Sequence, residues 1–193
     1  MKGALYLEFS GKKALVVGSG KVGLRRAETL AGYGCSVLCL SPENISVSHE
    51  GVSFCQGIYE AEYLDEMDLA VAATNDRTVN QKILSDCRRR NILCNVADDP
   101  DHSDFIFPAV LSRGELDIAV TTKGASPMLT KQILRELSEL YGEEFAERTR
   151  LLKILRQKIL ENGEDPEIKR KRLRAFKNMT IEELKIEVEK QCV

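Results

Sequence analysis

Nowhere does this sequence hold an apolar run approaching the ~20 residues of a membrane-spanning helix, so a helical membrane protein is not expected. A secretory leader is not expected either, because "MKGALYLEFSGKK" meets Glu8 before an apolar core of that kind can form. Neither a CxxC pair nor a zinc-ligand spacing occurs among the six cysteines, Cys35, Cys39, Cys55, Cys87, Cys94 and Cys192. Most of them sit in apolar stretches such as "CSVLCL" and "ILCNV". Buried, reduced thiols in a cytoplasmic protein are therefore expected. A surplus of one charge is also lacking. Lys and Arg number 28 against 30 Asp and Glu, a net charge of −2, which excludes a global field recruiting nucleic acid or an anionic membrane. There is no internal repeat and no low-complexity segment.

What is present is ordinary globular material. Hydrophobic residues make up 43% and charged residues 30% of 193 positions, enough for one sizeable core and a smaller appendage. "KALVV" (13–17) is a short apolar run that stops at Gly18, as a strand buried on both faces does. "SVLCL" (36–40), "VSFCQ" (52–56), "LAVAA" (69–73) and "ILCNV" (92–96) have the same character. Between them lie helical patterns, after Gly20 and over 77–90. Strands alternating with helices predict right-handed βαβ units and a parallel sheet.

The pattern changes after about residue 106. "PAVLSRGELDIAVTT" (108–122) predicts two strands around a turn at Arg113-Gly114. From Ser126 on only helices are expected. Ser126-Pro127 suits an N-cap and first helical position, and Thr180 with Glu183 forms a capping box. Leu129, Ile133, Leu137, Leu151, Leu152, Ile154, Leu155 and Ile159 offer more apolar surface than a small lobe buries alone. A shared dimer lobe resolves this. The expected fold is α/β. A Rossmann-type domain over 1–112 is followed by a strand–helix dimerisation region over 113–145 and a helical region over 146–193.

Gly18-Ser19-Gly20-Lys21-Val22-Gly23 is a GxGxxG run that follows a strand and opens a helix, the context a dinucleotide fingerprint requires. Gly18 permits the tight turn, Gly20 the approach of a pyrophosphate, and Gly23 close helix–strand packing. The ribose-binding acid should end the second strand, where Ser41-Pro42 stand and Glu43 follows. Glu43 is either that acid, favouring NAD over NADP, or a solvated loop residue. Thr74 and Asn75 end the fourth strand at the same edge of the sheet.

"NVADDPDHSDFIFPAV" (95–110) crowds Asp98, Asp99, Asp101, His102 and Asp104 after the fifth strand. Asp98, nearest the strand, is the candidate for proton chemistry beside hydride transfer. A divalent ion held by Asp98, Asp101, His102 and Asp104 is the rival reading, but the spacing fits no recognised loop and Pro100 stiffens it, so no metal ligands are assigned. Gly124, Ala125 and Ser126 open a helix whose N-terminus suits a carboxylate. The basic run "KRKRLRAFK" (169–177) reads as the C-terminal half of a helix whose acids stand at its start.

Together "VVGSGKVGLRRAETLAGYG", "ATNDRTVNQKI", "CNVADDPDHSDFIFPAV" and "AVTTKGASPMLTKQI" resemble, in order, the motifs of the precorrin-2 dehydrogenase family, the N-terminal region of siroheme synthases. The resemblance spans about residues 3–140. It implies NAD-dependent oxidation of precorrin-2 to sirohydrochlorin by a homodimer with a swapped central region. Some members also insert ferrous iron, and longer ones carry a methyltransferase. The sequence ends at Val193, so methyltransferase activity is not expected. Asp98 falls on the family's active-site aspartate, and Ser41, Pro42 and Glu43 fall where members touch the adenosine. Ser126 matches the serine of its "TSP" motif, and Ser19 departs from its GGG loop. A polycarboxylate substrate needs cations or N–H groups, and Arg113, Lys123 and Lys131 are the cations expected near Gly124 and Ser126. Two alternatives stay open: a dehydrogenase that also inserts iron, and an NAD(H)-sensing regulatory module without turnover.

Overall fold

The computed structural model describes residues 2–43 and 48–190. The chain forms two compact units, Met1–Phe107 and Pro108–Val193. The break lies between Phe107 and Pro108, not after 112. The hairpin strand that follows finds its hydrogen-bonding partner downstream and so belongs wholly to the second unit. The regions expected as 113–145 and 146–193 lie in that one unit. Cys192, expected as a thiol like the others, lies outside the described residues; Cys35, Cys39, Cys55, Cys87 and Cys94 are free.

The first unit is a five-stranded parallel sheet: β1 (Lys13–Val17), β2 (Ser36–Ser41), β3 (Val52–Gln56), β4 (Leu69–Ala72) and β5 (Leu93–Val96). The spatial order is β3-β2-β1-β4-β5. Strand order reverses between β1 and β4, the switch point at whose carboxyl edge open α/β sheets bind ligands. Helix α1 (Lys21–Gly32) packs Ala27 and Leu30 against Val16, Cys39 and Val71 on one face. Helix α2 (Arg77–Arg90) packs Ile83, Leu84 and Cys87 against Leu15, Ala70 and Cys94 on the other. Strands buried on both faces explain why β1 and β4 are continuous apolar runs without alternation. Polar residues also enter this core, among them Asp86, 2% exposed on α2, where it accepts from Tyr59 Oη at 3.0 Å and pairs with Arg89.

After β5 the chain turns back along the strand. Cys94 N–H donates to Asp104 Oδ2 at 2.9 Å, Asp104 N–H to the Cys94 carbonyl at 2.8 Å, and Val96 N–H to Ser103 Oγ at 2.8 Å. The outer edge of β5 is thus covered by its own loop.

The second unit opens with an antiparallel hairpin, β6 (Ala109–Arg113) and β7 (Leu116–Val120). Helices α3 (Pro127–Leu140), α4 (Glu144–Glu161), α5 (Pro166–Ala175) and α6 (Ile181–Lys190) follow. The expected caps are present. Ser126 Oγ accepts from Leu129 N–H at 3.1 Å, and Thr180 and Glu183 exchange bonds at 2.7 and 3.2 Å. Asp165 caps α5, whose basic end carries Arg172 and Arg174. The apolar face of α4 finds cover within the chain, because Leu151, Leu155 and Ile159 pack with Phe176 and Leu184. That of α3 is covered only in part by the described residues: Ile133, Leu134 and Leu137 are half-buried, no residue of the helix is fully buried, and Met128 and Leu140 are 83% and 71% exposed.

Candidate functional site

The turn from β1 into α1 is shaped by three glycines, each for its own reason. Gly18 has φ +109°, and a Cβ there would meet the Ala73 carbonyl oxygen. A Cβ on Gly23 would strike the Gly18 carbonyl oxygen at 1.9 Å, so helix and loop touch backbone to backbone. Around Gly20 the opposite holds. A Cβ there would have nothing within 4 Å, so the loop faces open space at the point where a pyrophosphate must approach. No side chain caps α1 and no acid stands in its first turn. Its first N–H groups are therefore free of intrahelical partners and form a positive dipole end unopposed by local carboxylates. This is a cradle a dinucleotide phosphate fits.

Ser19, the departure from an all-glycine loop, donates from Oγ to Ser41 Oγ at 2.8 Å. Glu43 N–H donates to the same Ser41 oxygen at 3.3 Å. The hydroxyl pair ties the glycine loop to the end of β2. Ser41 is buried, whereas Pro42 and Glu43 are exposed. Lys21 and Val22 are exposed on the first turn of α1.

Across the switch point stand Thr74 and Asn75, between β4 and α2. Asp76 caps α2, accepting from Thr78 N–H at 2.7 Å. Asn80, in the first turns of α2 and 1% exposed, takes hold of Thr74. Thr74 N–H and Oγ1 donate to Asn80 Oδ1 at 3.2 and 2.7 Å, and Asn80 Nδ2 donates to the Thr74 carbonyl at 3.1 Å. The same Nδ2 donates to Asp98 Oδ1 at 3.1 Å, while Arg77 Nε lies 3.3 Å from Asp98 Oδ2. The Asp98 side chain is 41% exposed, open to a reacting molecule yet oriented from two sides.

The remaining acids of this loop do other things. Asp99 accepts from Gln81 Nε2 at 3.3 Å, and both its oxygens bond His102 Nδ1, at 2.8 and 2.9 Å. The His102 ring holds the Asp99 carboxyl below the usual carboxylate range. Asp104 covers the edge of β5, and Asp101 is exposed. Asp98, Asp101, His102 and Asp104 do not converge, and among the described residues no group of three or more His, Cys, Asp or Glu could hold a metal ion.

Arg113, Lys123, Gly124, Ser126 and Lys131 belong to the second unit. Arg113 is committed there: Nη2 lies 3.2 Å from Glu143 Oε1, and Nη1 donates to the Ser112 carbonyl at 2.8 Å. Lys123 (φ +53°) and Gly124 (φ +90°) form a left-handed turn into α3, which Ser126 caps. Lys123 and Lys131 are exposed.

Residues 5–109 match a family of putative NAD(P)-binding domains. The chain belongs to that family. It therefore takes a nicotinamide nucleotide, and the resemblance to precorrin-2 dehydrogenases finds independent support among individual proteins. A siroheme synthase of Photorhabdus laumondii is 34% identical over 141 residues, covering 70% of this chain and 30% of that one. One from Chromobacterium violaceum is 37% identical over 141 residues, with the same coverage. One from Methylococcus capsulatus is 33% identical over 171 residues, covering 86% of this chain and 36% of its own. The chain spans about a third of the length of these curated relatives. Among solved structures, SirC, a precorrin-2 dehydrogenase, superposes with a TM-score of 0.80 at 28% identity, covering 98% of this chain and 100% of that one.

Asn80 and Arg77 are the members of this arrangement that sequence reasoning missed. Asn80 is the polar residue inside an otherwise apolar stripe, after Val79 and before Ile83 and Leu84, and that interruption is the signal that it has a buried partner.

Proposed function

We propose that this chain catalyses the NAD-dependent oxidation of precorrin-2 to sirohydrochlorin, on the route to sirohaem, as a cytoplasmic homodimer. The observation that carries this reading is the likeness to a precorrin-2 dehydrogenase over nearly the whole of both chains, the helical second unit included. A module that only senses a nucleotide needs the first unit alone. No helix among the described residues is long and apolar enough to cross a membrane.

In this reading the N–H groups from Gly18 to Gly23 hold the pyrophosphate. Ser41, Pro42 and Glu43 meet the adenosine, and Thr74 and Asn75 the nicotinamide half. Glu43 repels a 2′-phosphate and so selects NAD over NADP. The bound nicotinamide supplies the hydride acceptor. Asp98 takes the proton lost in the same oxidation, its carboxylate oriented by Asn80 and Arg77. Lys123, Gly124, Ser126 and Lys131 receive substrate carboxylates. Arg113, already bound to Glu143, contributes by exchanging that partner or by its field. The exposed apolar face of α3 is covered by a second copy.

Anaerobic incubation with precorrin-2 and NAD, followed by absorption spectra, tests this. Sirohydrochlorin should form with stoichiometric NADH. NAD binding without precorrin-2 turnover would favour the sensing module instead. Ferrous iron added to the product mixture asks whether the chain also metallates it: sirohaem forming faster than in an enzyme-free control adds that second activity.

A further inference from the structure

A carboxamide has two donor hydrogens and two acceptor positions, and Asn80 uses all four. Three bonds go to Thr74 and the fourth to Asp98. The first three would suffice for a loop cap at the start of α2. The fourth satisfies the last donor of a buried amide, but Asp98, 41% exposed, has water available and does not itself need the bond, so its effect on Asp98 is to hold it in place. What Asn80 adds is a fixed distance: a core-anchored donor on one carboxylate oxygen, with Arg77 beside the other.

We propose that Asn80 is a positioning residue that locks Asp98 to the loop after β4, so that the proton acceptor and the nicotinamide side of the cleft keep one register. This rests on the reading of Asp98 as the acid–base group. A misplacement near 1 Å can cost ~10²-fold in rate, which gives a single oriented hydrogen bond its leverage.

Asn80→Asp tests it. The variant keeps the shape and the acceptor oxygen toward Thr74, removes both Nδ2 donors and sets a carboxylate beside Asp98; Asn80→Ala, which adds no charge, is measured beside it and should lose kcat likewise. In the wild-type background kcat should fall at least about tenfold, with the NAD dissociation constant changed by less than about threefold. In an Asp98→Asn background the same change should alter kcat by less than about twofold, because residues acting through one another are not additive. Additive losses, or an unchanged kcat in the single variant, would overturn the proposal.

A second measurement needs no Asn80 variant and no turnover. In ¹⁵N-labelled protein the Asn80 side-chain amide resonances should move when the exposed Asp98 is changed to Ala. Amide resonances that stay in place would overturn the proposal. If the wild type fails to oxidise precorrin-2, the functional reading falls, and the amide shift still decides whether Asn80 holds Asp98.

Discussion

Two loops at the carboxyl edge of the same sheet are built on opposite principles. The loop after β1 works by what it lacks: Gly18 and Gly23 make room for backbone, and Gly20 leaves space open. The loop after β5 works by what its side chains hold, with Asp98 set between Asn80 and Arg77 and the acids beyond it spent on His102 and the β5 edge. In the proposed reading, binding is a property of backbone and vacancy, whereas proton chemistry is a property of a side-chain network. The first tolerates almost no added atoms, and the second tolerates almost no lost hydrogen bonds.

The sharpest way to break this contrast is Gly20→Asp. A carboxylate placed in the open approach should abolish NAD binding by calorimetry, while the Cβ itself meets nothing and circular dichroism stays native. Retained affinity would remove the glycine loop from the site. Next comes Asp98→Asn, which should leave NAD affinity intact and cost at least about a hundredfold in precorrin-2 oxidation, within the range of a general acid–base group. A near wild-type rate would leave positioning alone as the driver. A smaller effect belongs to Glu43: Glu43→Gln should narrow the preference for NAD over NADP, read from the two dissociation constants, and equal affinities in the wild type would take Glu43 out of the site.

Away from both loops, Tyr59→Phe leaves the buried Asp86 without its hydroxyl donor. It should cost ~1–3 kcal/mol in urea denaturation while turnover holds. The smallest effect is a matter of pH. The folded Asp99 carboxyl sits below its ordinary value because of the His102 ring. It therefore contributes stability that is present above the unfolded value and lost as pH falls through the folded one. His102→Ala should flatten the acid limb of a stability-versus-pH curve below about pH 4, where carboxylates ordinarily titrate. An unchanged limb would show that the contact is idle.

The glycine loop was legible from the sequence because its requirements are local. Six consecutive residues and a preceding strand state the geometry, and Gly18 and Gly23 behave as their spacing predicts. The strands and the caps at Ser126, Thr180 and Glu183 were legible for the same reason. Asn80 was not, since its meaning comes from Asp98, 18 positions away beyond the rest of α2 and β5. The cover for α4 was also hidden. Leu155 and Ile159 announce an apolar face, but that Phe176 and Leu184 return to meet it depends on how the chain turns between helices. Arg113 was expected as an available cation. Glu143, thirty residues on and exposed, gave no sign that it would claim it.

The return of the chain along β5 has a consequence for self-association. A parallel sheet has two outer strands, each able in principle to recruit a further strand from another molecule. Here Ser103 and Asp104 occupy the main-chain groups of Val96 and Cys94 that such a strand would need. With that side sealed, only the β3 edge is left for strand pairing between copies, so edge-to-edge pairing through this sheet could join no more than two of them. Ser103, a small residue with no part in the chemistry, acts in this sense as a terminator of polymerisation.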